Sequence, residues 1–451
     1  MFKKILVANR GEIALRIIRA CHEMGIRTVA VYSKADEDSL HRRLADEAVC
    51  IGPAPANQSY LDIKTIIAVA ELTNSEAIHP GYGFLAENST FAGVCEDCDI
   101  KFIGPPSHVI SRMGEKSEAK RTARAGGAPV VPGSEGVVST LNEAKAICEE
   151  IGYPVMIKAA AGGGGKGMRL VSRQEDLFKL YENARGEAQA AFGNPDLYVE
   201  KLIINPRHIE VQVLADSYGN CIHLGERDCS MQRRHQKLLE ESPGVGISEE
   251  IRKQIGEAAV KAAKSAEYVN AGTVEFLYDD QGNFYFMEMN TRIQVEHPVT
   301  EQVTGVDLVK EQLKIAYGEK LKLRQDDISM SGHAIECRIN AEDPDKNFAP
   351  SPGKIDFLHI PGGLGIRVDT HVFQGYTIPP FYDSMIAKLI VYGGDRSEAI
   401  LKLKSCLREF IVSGVKTTIP FHRKVINTEK FVTGGFGTSF LDSLNEKQVD
   451  I

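Results

Sequence analysis

The sequence predicts an α/β protein that opens on a doubly wound parallel sheet and closes on an α+β region. Three observations carry this prediction. Short apolar strands alternate with amphipathic helices over roughly the first 110 residues. A run of glycines directly follows a strand in the middle of the chain. Strand signals and Pro/Gly turns dominate the last part. The 451 residues leave room for about three domains at roughly 150 residues each.

Ile5-Leu6-Val7-Ala8 reads as a buried strand and Asn9-Arg10-Gly11 as the turn after it. Glu12 to Met24 reads as a helix, with Ile13, Ile17, Ala20 and Met24 at helical spacing. Thr28 to Tyr32, Ala77-Ile78-His79 and Lys101-Phe102-Ile103-Gly104 continue the alternation. The lone glycine after the first strand is no G-x-G-x-x-G, so no dinucleotide site is expected there. A second region begins near Met113, turns at Pro129-Val130-Val131-Pro132-Gly133 and carries the strand Pro154 to Lys158. It runs to about Glu319. A third starts around Gly332, with turns at Ser351-Pro352-Gly353 and Pro361-Gly362-Gly363.

Composition excludes several classes. Hydrophobic residues at 43% and charged residues at 25% are ordinary for a soluble globular chain. A net charge of −8 argues against a nucleic-acid or membrane-surface binder. The apolar run at the start ends at Asn9 and Arg10, too short for a signal peptide, and no run reaches transmembrane length. A cytoplasmic protein is expected. Nine scattered cysteines, an odd number, do not suggest a disulfide framework. Cys95 and Cys98 read as two cysteines on a helix. Cys229 lies inside a polar motif and is expected near a site without being its nucleophile.

Gly162-Gly163-Gly164-Gly165-Lys166-Gly167 is not a P-loop. Position 160 is alanine where that motif needs glycine, and position 167 is glycine where it needs Ser or Thr. What remains is a mobile ribbon whose N–H groups can close over phosphates. Lys116 and Lys158 can each neutralise phosphate charge.

Residues 272 to 298 point to the chemistry. Thr273 to Tyr278 and Phe284 to Asn290 read as two strands joined by the turn residues Asp279 to Asn283. A two-residue turn at Gln281-Gly282 puts Glu275 opposite Glu288, with Cβ atoms about 5 Å apart. A symmetric four-residue loop keeps that pairing, and a bulge breaks it. Two facing carboxylates repel unless a divalent cation lies between them. With the amide of Asn290 on the same face they suit Mg²⁺ or Mn²⁺ and not zinc. The alternation then continues through Arg292, Gln294 and Glu296, with Met287, Met289, Thr291, Ile293 and Val295 on the other face. This stripe offers metal, anion clamp and base in sequence. Two further polar clusters, Arg227 to Lys237 and Glu200 to Ile203 with Arg207-His208, fit anion and nucleotide binding.

Asn9-Arg10-Gly11-Glu12-Ile13-Ala14, His79-Pro80-Gly81-Tyr82-Gly83-Phe84, the glycine run, Glu226 to Arg234 and Glu288 to Pro298 resemble the biotin carboxylase family of ATP-grasp enzymes. The resemblance spans nearly the whole chain, as far as Pro379-Pro380-Phe381-Tyr382-Asp383-Ser384-Met385. It implies a central ATP-grasp domain over 114–330, with a mobile glycine-loop lid subdomain at about 131–203. An N-terminal domain at 1–113 and a C-terminal α+β domain at 331–446 flank it. It further implies that ATP phosphorylates bicarbonate to carboxyphosphate and that the carboxyl group passes to biotin. Lys116, Lys158, Gly164, Gly165, Glu200, Lys201, Leu202, Ile203, His208, Gln232 and His235 would contact ATP, and so would Glu275 and Glu288, which with Asn290 hold the metal. Lys237, Arg292, Gln294 and Val295 would bind bicarbonate, Val295 through its backbone. Glu296 would be the base, Arg338 would stabilise the enolate-like oxygen of biotin, and Tyr82 would touch biotin. Lys237, Arg292, Glu296 and Arg338 are thus the implied catalytic set.

Ala161 and Lys166 depart from the commoner pattern and should alter loop mobility at most. No Met-Lys-Met tripeptide for biotin attachment occurs, so a separate biotin carboxyl carrier protein and a separate carboxyltransferase are expected, with a homodimer as the assembly. Acetyl-CoA carboxylase, and with it fatty acid biosynthesis, is the first choice of complex, with pyruvate or another acyl-CoA carboxylase as alternatives. The rivals are another ATP-grasp carboxylate ligase and a nucleotide-binding protein without catalysis.

Overall fold

The structure, a computed structural model, describes residues 1–159 and 168–446. The glycine ribbon, including Gly164 and Gly165, lies outside them, as do Ala161 and Lys166. Among the described residues no helix is long and apolar enough to cross a membrane.

The first part of the chain folds into a five-stranded parallel sheet of β1 (Lys4–Val7), β2 (Arg27–Ser33), β3 (Glu47–Gly52), β4 (Ala77–His79) and β5 (Lys101–Phe102). Its order is β3-β2-β1-β4-β5. The chain winds outward from β1 on one side and returns to its other side with β4, as the βα alternation predicts. The loops after β1 and β4 therefore flank the switch point, where open α/β sheets bind ligands. Asn9 ties these loops together: its Nδ2 donates to the carbonyls of Pro80 and Tyr82, both at 2.7 Å. The sequence does not announce β3, an edge strand that buries only Ile51.

Between the flanking parts sits a small antiparallel sheet of β6 (Val155–Ala159), β7 (Met168–Val171) and β8 (Leu197–Lys201), ordered β7-β6-β8. The helices Leu141–Ile151 and Leu177–Phe192 cover it. It has a core of its own, in which Val155, Ile157, Val171 and Val199 pack on Ala144, Cys148 and Tyr181.

An eight-stranded antiparallel sheet forms the body. It contains β9 (Arg207–Ala215), β10 (Cys221–Arg233), β11 (Gln236–Ser242), β12 (Asn270–Tyr278), β13 (Phe284–Asn290) and β14 (His333–Asn340). The order is β13-β12-β9-β10-β11-β14, followed by the strands Met385–Gly393 and Ile366–Thr370. The sheet does not stop where the third region begins. β11 pairs with β14 from Leu239↔Cys337 to Ser242↔Ala334, so one ladder joins the second and third regions. Helix Glu249–Ser265, capped by Ser248 Oγ on the N–H of Ile251 at 3.3 Å, lays Ala258, Ala259, Ala262 and Ala263 against Val211, Val213 and Phe276. Helices Arg396–Glu409, Ile419–Val425 and Phe440–Glu446 complete the α+β end of the chain.

Candidate active site

The β12–β13 hairpin reaches the expected pairing by an unexpected route. The loop is not a two-residue turn. Asp279 N–H donates to Asn283 C=O at 2.9 Å, and Asp279 Oδ1 accepts the N–H groups of Gln281 and Asn283. This longer loop pairs Tyr278 with Phe284 and Phe276 with Phe286, one residue out of the expected register. A bulge at Met287 then corrects it, so that Glu275 faces Glu288 and Thr273 faces Asn290. The bulge has a second effect: Met287, assigned by alternation to the other face, lines the cleft beside Glu288 and Leu277.

After Asn290 the chain leaves the sheet and bends through residues 291–296 into helix His297–Thr304. The expected extended stripe is therefore a turn, yet its polar side chains converge. Arg292 Nη1 donates to Gln294 Oε1 at 2.8 Å and Nη2 to Asn290 Oδ1 at 3.2 Å. Asn290 and Gln294 both donate to Glu275 Oε1, at 2.9 and 3.1 Å. Glu296 lies fully buried beneath them.

Lys237, on β11, is the hub. Its Nζ donates to Glu210 Oε2 at 2.6 Å, Glu275 Oε1 at 2.9 Å and Glu296 Oε1 at 2.7 Å. Arg338, on β14, donates to Glu240 Oε1 at 2.6 Å and Glu296 Oε2 at 2.9 Å. Burial opposes the charge on Glu296, but Lys237, Arg338 and Arg227 outweigh it and hold the carboxyl well below its ordinary range. Burial likewise opposes the charge on Lys237, and Glu210, Glu275 and Glu296 override it and push its pKa well up. Glu240 is pushed up to about 7, chiefly by burial. Cys229 Sγ lies 3.8 Å from Glu296, and burial raises its thiol well above the usual value. It is a neighbour of Glu296 and no thiolate nucleophile.

The residues expected to ligate a metal fit a hard cation. Glu288 makes no side-chain hydrogen bond among the described residues. Burial, then the facing Glu275, raises its pKa, while Lys116 pulls it down. Two carboxylates and an amide form an all-oxygen donor set. His208, Glu210 and Glu275 form a second tight group. Glu275, common to both groups, is itself held by Lys237, Asn290, Gln294 and His208, but Glu210 is fully buried and does not line the cleft, so the pair that opens on it is the better candidate.

One cleft of about 1220 Å³ gathers Tyr82, His208, Gln232, His235, Lys237, Glu275, Glu288, Asn290, Arg292, Gln294, Val295 and Arg338. Lys116 is exposed at the start of helix Lys116–Ala125, and Lys158 pairs with Glu200 at 2.5 Å. Lys201 turns its ammonium to the carbonyls of Gly152 and Tyr153, and Leu202 gives its N–H to Pro154. Neither group is free for a ligand in this conformation. Tyr82 donates to Glu12, which pairs with the fully buried Lys388 at 3.2 Å, and Lys388 holds the carbonyl of Val295 at 2.9 Å.

Sequence reasoning missed Glu210, Glu240, Lys388 and Glu87, and Arg227, read as part of an anion-binding cluster, is fully buried against Glu210. A signal for Glu210 existed, because His208, Glu210 and Gln212 alternate with Ile209, Val211 and Val213 along β9. Glu87 left none: it reaches Arg292 from a distant loop.

A facing acid pair, an arginine held among amides and a buried carboxylate held by two cations, beside a separate small sheet, are the arrangement of an ATP-grasp ligase. Models of the biotin carboxylase N-terminal domain, the carbamoyl-phosphate synthase L chain ATP binding domain and the biotin carboxylase C-terminal domain match residues 1–110, 115–324 and 336–443. The chain belongs to the biotin carboxylase family. It is 59% identical to biotin carboxylase 1 of Bacillus subtilis, over 98% of this chain and 99% of that one. It is 57% identical to a pyruvate carboxylase subunit from Methanothermobacter thermautotrophicus, over 98% of this chain and 90% of that one. The biotin carboxylase domain dimer of Hydrogenobacter thermophilus 2-oxoglutarate carboxylase, in complex with MgADP, ADP and bicarbonate, superposes with a TM-score of 0.89 at 54% identity, over 98% of both chains.

Proposed function

We propose that this chain carboxylates biotin carried on a separate protein, with bicarbonate as carboxyl donor and ATP converted to ADP and phosphate by way of carboxyphosphate. The observation that supports this most is the convergence of Lys237 and Arg338 on Glu296 beneath the Arg292–Gln294 rim.

In this reading Glu275, Glu288 and Asn290 hold Mg²⁺ or Mn²⁺, which when bound offsets charge on the nucleotide phosphates. Arg292, Gln294 and the Val295 N–H hold bicarbonate, and Glu296 takes its proton. At rest Glu296 is a poor base, because Lys237, Arg338 and Arg227 stabilise its ionised form. A bicarbonate anion shares Lys237 and Arg338, which raises the proton affinity of Glu296 when the substrate is in place. Arg338 then lies at the boundary of the bicarbonate and biotin positions, with Tyr82 across the cleft. Lys116, Lys158, Glu200, Ile203, His208, Gln232 and His235 serve the nucleotide, and Lys201 and Leu202 join them once the Lys201 ammonium and the Leu202 N–H leave the carbonyls of Gly152, Tyr153 and Pro154. The chain works as a homodimer with separate carrier and transferase chains, and acetyl-CoA carboxylase is the proposed complex.

The test is phosphate release from MgATP, bicarbonate and free biotin. Arg338→Ala should lose the biotin-dependent release by about a hundredfold and keep its KM for MgATP. Unchanged biotin dependence overturns the assignment.

A further inference from the structure

Arg292 is expected to clamp an anion, but a long, flexible side chain clamps nothing until something aims it. Its guanidinium is aimed from outside the turn. Arg292 Nε donates to Glu87 Oε2 at 2.7 Å, and the other oxygen of Glu87 accepts the backbone N–H of Thr291 at 2.9 Å. Glu87 thus grips two consecutive residues with both oxygens. Among the described residues it is the one carboxylate within ion-pair distance of Arg292. The remaining Arg292 bonds go to Gln294, Asn290 and the Ile293 carbonyl, all within the turn or its root.

Glu87 is itself held firmly. It follows the buried Leu85 and Ala86. Asn88, the next residue, caps helix Ser89–Asp97 by accepting the N–H of Phe91 at 2.8 Å. The backbone on both sides is therefore fixed, although the carboxylate is partly open to solvent. The same loop carries Tyr82, which lines the cleft.

We propose that Glu87 is a positioning residue for bicarbonate: it fixes Arg292 and the start of the 291–296 turn so that the anion meets a preformed clamp. The proposal rests on Arg292 being the bicarbonate ligand. Without Glu87 the anion must order the arginine as it binds. Affinity for bicarbonate falls, while turnover at saturating bicarbonate is largely kept.

The experiment measures steady-state phosphate release by the full chain with Glu87→Ala, Glu87→Asp, Arg292→Ala and the Glu87→Ala/Arg292→Ala double variant. For Glu87→Ala the KM for bicarbonate should rise by about tenfold or more, with kcat within about threefold and the KM for MgATP unchanged. Glu87→Asp should recover part of the loss. The double variant should be no worse for bicarbonate than Arg292→Ala. If Arg292→Ala raises the bicarbonate KM and Glu87→Ala does not, the proposal falls and the role of Arg292 stands. If Arg292→Ala leaves that KM unchanged, the reading of Arg292 falls first. Equal losses in every kinetic constant for Glu87→Ala, with a lowered Tm, show a merely structural role and also overturn the proposal.

Discussion

At Lys237 one ammonium meets three carboxylates, and at Glu296 one carboxylate meets two cations. Such side chains are held by their neighbours, and alternation along a single strand does not reveal the neighbours. The sequence placed Glu275 opposite Glu288, a pairing that survives because the bulge at Met287 offsets the longer loop, and put Arg292, Gln294 and Glu296 in one neighbourhood, which a turn keeps in place of the expected extended strand. It did not place Glu240, which meets Arg338 across β11 and β14, since nothing in one strand records which strand lies beside it. Buried single residues also carry a pH signature. His371 lines the cleft, packs edge-on to Tyr376 and is pushed down to about 3, mainly by burial and then by Arg10. Its folded pKa lies below its unfolded value. Below pH about 6.5 the unfolded chain therefore takes a proton that the native state refuses, and stability is lost as pH falls from there toward 3. His371→Phe removes this one contribution. Between pH 7.5 and pH 5 the wild type should lose about 2 kcal/mol relative to the variant, read as the difference between urea-unfolding free energies at the two pH values. A pH-independent difference refutes it.

Among the elements, two hairpins build the cleft, and only one was legible. The β12–β13 hairpin announces itself with Asp-Asp-Gln-Gly-Asn between apolar runs. Its loop is longer than a two-residue turn, and the bulge at Met287 restores the register that the longer loop shifts. The β10–β11 hairpin carries no turn signal. Arg234 and His235 form its two-residue turn with φ of 50° and 66°, and both side chains line the cleft. A turn of this kind ordinarily takes Asn-Gly. Side chains in left-handed backbone cost on the order of 1 kcal/mol each, so the chain here gives up local stability at a turn whose two exposed side chains line the cleft. Arg234→Gly should stabilise the fold by about 0.5–1 kcal/mol, measured as an increased urea midpoint at unchanged m-value. An unchanged or lowered midpoint would mean that Arg234 gains as much from its surroundings as its backbone loses.

For the whole molecule, the doubly wound character of the first sheet was legible, though not its edge strand β3, because each βα unit is local. The eight-stranded sheet was not, because the pairing of β11 with β14 joins segments nearly a hundred residues apart and leaves no periodic trace in either. The full chain should melt with its second and third regions together, giving one calorimetric transition for both. Two well-separated transitions assigned to these regions would contradict the continuous ladder.

That ladder also sets how this chain can be recombined. A cut at residue 330 looks natural from the sequence, yet it strips β11 of its neighbour and leaves a buried strand with a raw edge, open to any other strand it meets. A chimera that imports a C-terminal part from a relative must therefore match the side chains that β11 presents to β14, Leu239 and Glu241 among them. The transplantable unit is defined by a shared seam of hydrogen bonds and not by the linker between two regions.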